Sequence, residues 1–249
     1  MEALFFIACI LIVIASAILR SPRMKGRAGE ARVNRCIAPK ANDDPRILMT
    51  DVTLPTARGT TQIDHIMIDP GGVFVIETKN MAGWIFGGAN QSRWTQTLGR
   101  RKTQFQNPLR QNHKHVLAVG DVLGIAPDRI ENLAVFVGNA RPKTAMPETV
   151  FWSPRALKRH LDAPRPAVFT RADIGAFRTA LEAARLEPGR ATDRAHIDSR
   201  KADERARGKN GSACPRCGSD MVARQNRKTG EAFLGCSSFP SCRGIRKAT

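Results

Sequence analysis

The chain has 249 residues, with 40 lysines and arginines against 22 aspartates and glutamates, which gives a formal net charge of +18. This length exceeds one small domain and suffices for a core domain with appendages. The charge favours polyanionic partners, either nucleic acid or an anionic membrane face, although a merely basic soluble protein is an alternative. Tyrosine is absent and only 6% of residues are aromatic, which argues against a broad base-stacking surface.

An apolar run occupies residues 3–19, with Ser16 as its polar interruption. About 17 to 25 such residues cross a bilayer, so we predict one transmembrane helix, with the anchor and its basic flank at 1–25. The charge before the run is Glu2 rather than the cations of a cleaved signal peptide, which is the alternative together with a buried helix. The cations after the run predict a single-pass inner-membrane protein, with its N-terminus outside, its later domains in the cytoplasm and the lipid bilayer as a partner.

The segment 26–140 alternates helical and strand patterns. In chain order we predict a helix at 29–36, a strand at 47–54, a flexible stretch at 55–61, strands at 62–68, 73–79, 84–86 and 93–97, a helix from 108 to before 124, and a buried strand at 133–137. Helix starts at 153–154 and 170–173 make 141–189 a helical extension of this core. Charged residues dominate 190–212, which is predicted to be a linker. The pattern indicates an α/β fold with a mixed sheet flanked by helices.

The candidate chemistry lies on the two strands that flank the turn at 69–72. A two-residue loop would pair Asp64 with Glu77 and Gln62 with Lys79, on one face of the hairpin. Paired carboxylates repel each other, and Mg²⁺ prefers carboxylate oxygens together with water and phosphate. Lys79 would then hold the attacking water or neutralise charge on phosphorus.

The register of this hairpin has an alternative. Pro-Gly-Gly also suits a type I turn with a bulge, which would place Thr78 opposite Asp64. Spacing alone also permits two solvated carboxylates at a strand end. His65 points away from Asp64 in either register and is expected to be structural. Arg100, Arg101 and Lys102 fit a solvated loop or, beside this site, a contact with phosphates.

Several stretches carry a family resemblance: 29–33, 62–65, 75–80, 83–87, Trp94 and 107–112. Together they resemble the nuclease-related domain family, which is similar to the restriction-endonuclease-like superfamily with its PD-(D/E)xK site. The resemblance covers residues 26–140. It implies a restriction-endonuclease-like sheet and a nuclease site with Mg²⁺ or Mn²⁺, in which the residues have these roles: Asp64 and Glu77 as metal ligands, the Thr78 carbonyl as a further ligand, Lys79 as the catalytic lysine, and Glu30 and Gln111 as added polar groups.

Four cysteines in the segment 213–249 stand in two pairs: Cys214 with Cys217, and Cys236 with Cys242. Four thiolates at this spacing suit a closed, tetrahedral and therefore structural Zn²⁺ site in a small zinc-ribbon-like module. The segment resembles the zinc finger at the C-terminus of type I topoisomerases, a family whose module binds single-stranded DNA. That resemblance implies nucleic-acid contacts through Phe233, Phe239, Arg216, Arg224, Arg227 and Lys228. The alternative is a zinc-stapled unit that binds protein or nothing.

These features combine into a membrane-anchored, metal-dependent nuclease that hydrolyses phosphodiester bonds, with DNA as the expected partner. The alternative is a non-catalytic membrane tether that binds nucleic acid, because a nuclease-like fold does not by itself prove cleavage. A third possibility is a membrane scaffold for proteins.

Overall fold

The computed structural model describes residues 21–39, 44–57 and 59–187, then positions 189, 192, 194, 198, 214 and 239 and the stretches 221–226, 229–236 and 243–247. The predicted membrane anchor, most of the linker, Cys217, Cys242, Arg216, Arg227 and Lys228 lie outside these residues. Within the described part, no helix is long and apolar enough to cross a membrane.

Seven strands of the described chain form one mixed sheet. They are β1 (Ile47–Thr56), β2 (Gly59–Asp69), β3 (Gly72–Phe86), β4 (Arg93–Leu98), β5 (Arg101–Gln106), β6 (Ile130–Pro142) and β7 (Val150–Phe151). Strands β1 to β5 follow one another by antiparallel pairing, whereas β6 runs parallel to β3 and β7 parallel to β6. The expected mixed sheet flanked by helices is therefore confirmed.

The helices are α1 (Pro22–Ile37), α2 (Pro108–Leu123), α3 (Pro154–Leu161) and α4 (Arg171–Ala184), and a short 3₁₀ turn lies at Pro127–Arg129. Asn107 caps α2 by accepting from the Leu109 N–H, and Gly124 ends that helix in the left-handed conformation. Ser153 caps α3, and Thr170 forms a capping box with Asp173 at α4. The predicted starts of α2, α3 and α4 are confirmed, and each has a local capping residue. The first helix was predicted at 29–36, but α1 already begins at Pro22 because Ser21 caps it by accepting from the Met24 N–H.

The helices cover both faces of the sheet. Val33 and Ile37 of α1 pack with Phe74, Ile76 and the α3 leucines on one face. Val116 and Val119 of α2, with Ile174 and Leu181 of α4, pack on the other face against apolar residues of β1, β2 and β3. A third cluster around Trp94 and Phe136 lies beyond the start of α2. Glu77 and Lys79 therefore stand on a strand that is sandwiched between two helical layers.

Three local predictions are corrected by the sheet. Residues 84–86 are no separate strand, because β3 continues from Gly72 to Phe86 along its parallel partner β6. The stretch 55–61 is mostly strand, since the ends of β1 and β2 pair as far as Thr56 and Gly59. Lys102 belongs to β5 rather than to a loop, because Thr97 pairs with it. The partner strand imposes the extended conformation in each case; it is distant in sequence at 84–86 and adjacent, across a tight turn, in the other two.

The described part of the C-terminal segment contains the strands β8 (Met221–Gln225), β9 (Ala232–Cys236) and β10 (Ile245–Lys247). They form a three-stranded antiparallel sheet in the order β10–β9–β8. Cys214 and Cys236, from different ends of the module, are both buried.

Candidate active site

The β2–β3 hairpin has the register of a two-residue loop. Ile68 pairs with Val73 and Ile66 with Val75, so the alternative bulged register is wrong. The ladder nevertheless ends at the pair His65–Ile76. The predicted ladder pairs Asp64–Glu77 and Gln62–Lys79 therefore do not form, and the acids approach each other in another way.

The ladder ends because the neighbouring strand pair is kinked. Asp51 has a φ of 51°, in the left-handed region that aspartate tolerates better than most residues. The β1–β2 ladder passes from Thr50–His65 to Val52–Ile63 and omits the facing pair Asp51 and Asp64. Met49 and Val52, three residues apart, contact the same core cluster, which a regular strand with its period of two would not allow. The kink turns Asp64 out of the ladder.

Asp64 reaches β3 through its side chain instead. Its Oδ2 accepts the backbone N–H of Thr78 at 2.7 Å. In an extended strand the N–H and C=O of one residue point to the same edge, so the Thr78 carbonyl faces the same side as this bond. Asp64 and the Glu77–Lys79 segment thus meet at an edge of β3 that β2 has just left.

Glu77 is 3% exposed and is held by three side chains. Its Oε1 accepts from Lys79 Nζ at 2.5 Å and from Gln111 Nε2 at 2.8 Å, and its Oε2 lies 3.4 Å from His115 Nε2. Gln111 Oε1 also accepts from Lys79 Nζ at 2.9 Å, so glutamate, lysine and glutamine form a closed triangle. Burial raises the pKa of Glu77, but the charge of Lys79 and the contact with His115 outweigh it and leave the pKa lowered.

Negative charge accumulates around this triangle. Burial, followed by the charge of Glu77, holds the pKa of Asp64 well above its usual value. The pKa of Glu30, on α1, is raised by burial and then by the charges of Asp51 and Glu77. The raised pKa values of Asp64 and Glu30 disfavour their charged forms beside the charged Glu77. A nearby cation would relieve this effect, so the site attracts cations.

The histidine next to Asp64 has a different position. His65 is fully buried, and its Nε2 lies 2.8 Å from the hydroxyl of Thr78, away from Glu77. Burial lowers the pKa of His65 to about 4, against a smaller opposing effect of Glu77. The ring is therefore neutral at neutral pH and supports β3 from behind the site.

Sequence reasoning missed two contributors to this site. His115 is buried on α2, where its Nδ1 lies 2.7 Å from the Thr61 hydroxyl and its Nε2 faces Glu77. Its spacing of four residues from Gln111 places both on one helix face, which was a usable signal. Asp51 Oδ1 accepts a hydrogen bond from Gln62 Nε2 at 2.6 Å, and the charge of Asp51 helps to raise the pKa of Glu30. No sequence pattern indicated this residue.

The predicted metal ligands can be tested against this donor set. Among the described residues, no three histidine, cysteine, aspartate or glutamate side chains form a ready cluster for an ion. Asp64, Glu77 and the Thr78 carbonyl nevertheless offer oxygen atoms alone, which suit a hard cation that retains water ligands. Burial, and then the charge of Glu77, raise the pKa of Asp64, and a bound cation would favour its ionised form. The residues therefore fit Mg²⁺ or Mn²⁺.

The C-terminal module presents an exposed aromatic ring. Phe239 is 55% exposed, and the guanidinium of Arg224 lies over its ring at 5.5 Å. Phe233 is half-buried on β9, paired with Arg224 of β8. A ring and a cation side by side can stack on a base and contact a phosphate.

Comparisons with known proteins match two separate segments of the chain. Residues 25–137 match the nuclease-related domain family, and residues 211–249 match the topoisomerase DNA binding C4 zinc finger. An uncharacterized protein of Bacillus anthracis is 44% identical over 124 residues, which are 48% of this chain and 58% of that protein. DNA topoisomerase 1 of Pyrococcus horikoshii and of Pyrococcus furiosus are each 52% identical over 29 residues, or 12% of this chain and 4% and 3% of theirs. The chain therefore spans less than two thirds of the length of these relatives.

Proposed function

We propose that this chain, which carries a nuclease-related domain followed by a topoisomerase-type C4 zinc finger, is a membrane-anchored, metal-dependent nuclease that hydrolyses phosphodiester bonds in DNA. The observation that carries the proposal is the meeting of Glu77, Lys79 and Asp64 at one edge of β3. These residues lie within the part of the chain that matches the nuclease-related domain.

The side chains have separable roles in hydrolysis. A divalent cation held by Asp64 and Glu77 would supply Lewis-acid activation of the scissile phosphate. Lys79 brings a positive charge to the same edge, where it orients the attacking water and stabilises negative charge developing on the phosphate oxygens. Gln111 bonds both Glu77 and Lys79, so it fixes the distance between acid and amine before substrate arrives.

The zinc finger would deliver or retain the nucleic acid. Zn²⁺ bound by Cys214, Cys217, Cys236 and Cys242 would fold the module, and the match to a DNA-binding zinc finger supports DNA as its partner. The exposed Phe239 beneath Arg224 supports single-stranded DNA in particular, because unpaired bases can stack on a free ring.

The membrane anchor is proposed from residues 3–19 alone. An uncleaved helix there would tether the nuclease to the cytoplasmic face of the inner membrane. Fractionation of cells that express the full chain tests this, with alkaline carbonate extraction to remove peripheral proteins. Recovery of the full chain in the soluble fraction would contradict the anchor without affecting the nuclease proposal.

The nuclease proposal is tested with the purified full chain in detergent. Single-stranded DNA, duplex DNA and RNA are incubated with Mg²⁺ or Mn²⁺ over a range of concentrations. The expected result is metal-dependent cleavage that Asp64→Asn and Lys79→Ala abolish. Asp121→Asn, which neutralises an exposed acid on α2, is the matched control and should retain activity.

The rival hypothesis, a non-catalytic membrane tether for nucleic acid, predicts a different outcome. Binding would persist with no cleavage of any substrate, and Lys79→Ala would leave binding unchanged. Cleavage that survives both Asp64→Asn and Lys79→Ala would instead indicate a contaminating nuclease and contradict the proposed site.

A further inference from the structure

The region after Glu77 is entirely free of acidic residues. From Thr78 to Gly120 the sequence contains no aspartate or glutamate. It contains these cations: Lys79, Arg93, Arg100, Arg101, Lys102, Arg110 and Lys114. The same region builds the second half of β3, the β4–β5 hairpin and most of α2. Positive charge is therefore concentrated on the elements that surround one end of the candidate active site.

The β4–β5 hairpin points back towards the catalytic residues. β6 occupies one edge of β3 from Val73 to Ile85, so β2 and β4 must share the other edge. β2 leaves that edge after Ile76, and β4 joins it at Trp84, which pairs with Thr97. Because β4 is antiparallel to β3, its turn lies level with the part of β3 between Lys79 and Trp84.

Two contacts fix the hairpin in this position. Gly83 has a φ of 81°, and a Cβ there would lie only 2.4 Å from the Thr97 carbonyl oxygen, so β4 approaches as closely as a glycine permits. Gln96 Nε2 donates to the Ala82 carbonyl at 2.7 Å. Three residues of strand span about 10 Å, which is the distance along β3 from Lys79 to the level of the turn.

The cations at the turn are available to a partner. Arg100, Arg101 and Lys102 are exposed, and the ion pairs found among the described residues do not involve them. Leu98, beside them, is 55% exposed. Trp84 of β3, which pairs with Thr97 of β4, is 52% exposed, and Lys143 Nζ lies 4.7 Å from its ring centre.

The acidic catalytic site needs positive charge beside it if a nucleic acid is to bind there. Asp51, Asp64 and Glu77 place carboxyl groups where a phosphate backbone must approach, and their negative charge would repel a polyanion. Cations placed next to the site offset this repulsion and guide the strand. A lipid surface is a poorer match, because the cations lie level with the part of β3 that directly follows the catalytic residues.

We infer that the tip of the β4–β5 hairpin, with Arg100 in the turn and Arg101 and Lys102 at the start of β5, binds the phosphates of the nucleic-acid strand that lies across Glu77 and Lys79. This inference rests on the proposed function for the identity of the ligand. The contact is to the backbone and independent of sequence, because exposed cations on a turn offer charge without a fixed arrangement for reading bases.

The test compares two double variants of equal charge. Arg101→Gln/Lys102→Gln removes two cations from the turn. Arg155→Gln/Arg159→Gln removes two exposed cations from α3, which packs beside the other end of β3. The full chain in detergent is titrated with a fluorescein-labelled single-stranded oligodeoxynucleotide at several salt concentrations without added Mg²⁺ or Mn²⁺, so that binding is measured without cleavage and the zinc finger keeps its metal.

Each lost phosphate contact should reduce the slope of log affinity against log salt by about 0.7, the value for single strands. The turn variant should therefore lose about 1.4 from this slope and bind about 25-fold more weakly at 0.1 M salt, if the curves converge at 1 M. The α3 variant should bind as the wild type does. Equal slopes for the two variants would overturn the inference, even if the protein cleaves DNA. A reduced slope in a protein that cleaves nothing would support the binding surface and contradict the nuclease.

Discussion

Protonation of His65 should destabilise the protein as the pH falls. The ring is fully buried, and burial lowers its pKa from 6.5 to about 4. The unfolded chain therefore binds a proton at a pH where the folded chain does not. The stabilisation is fully present above pH 6.5 and is lost progressively as the pH falls from 6.5 towards 4.

The size of this effect follows from the shift in pKa. One pKa unit corresponds to about 1.4 kcal/mol, so the full shift is worth about 3 kcal/mol. Between pH 7 and pH 5, the wild type should lose about 2 kcal/mol of unfolding free energy through His65 alone. That loss is a large fraction of the total stability of a typical domain.

The assay is urea unfolding at pH 7, 6 and 5, with wild type and His65→Gln compared at each pH. Glutamine places a polar atom near the position of Nε2, so the contact with Thr78 can persist without a titrating ring. His113→Gln, on the exposed side of α2, is the control for loss of a histidine. Because other groups titrate equally in both proteins, the difference in pH slope reports His65. Identical slopes for wild type and His65→Gln would refute the reasoning.

Three further outcomes are expected. His115→Phe removes the buried imidazole that contacts Glu77 and should weaken Mn²⁺ binding by about 10- to 100-fold in calorimetric titration. His113→Phe should leave Mn²⁺ binding unchanged, and equal affinities of the two variants would contradict a positioning role for His115. Asp64→Asn removes a buried carboxyl group whose pKa is raised by burial and by the charge of Glu77. Without divalent ions, the variant should therefore be more stable against urea by about 0.5 to 2 kcal/mol. A net loss of stability would argue against repulsion between Asp64 and Glu77. Strong zinc chelators should abolish hydrogen-exchange protection in β8–β10 and leave residues 21–187 protected; unchanged protection in the module would exclude zinc as its fold determinant.

Local sequence signals predicted most of the elements. The caps at Asn107, Ser153 and Thr170 and the left-handed Gly124 are local features, because each depends on hydrogen bonds within a few residues. The turn at 69–72 predicted the β2–β3 hairpin but allowed two registers, and the structure has the one with a two-residue loop. Where a strand depends on a distant partner, as at residues 84–86 beside β6, the local pattern was insufficient.

The sequence by itself indicated Asp64, Glu77, Lys79 and Gln111 as the candidate site residues, and all four lie within the segment that matches the nuclease-related domain family. Only the tertiary structure decided how they meet. The kink at Asp51 breaks the ladder and makes Asp64 contact Thr78 through its side chain, and α2 brings Gln111 and His115 onto Glu77. The physical reason is that a buried carboxylate needs polar partners wherever the packed chain supplies them. Apart from Lys79, two residues from Glu77, those partners are 14 to 38 residues away in the sequence.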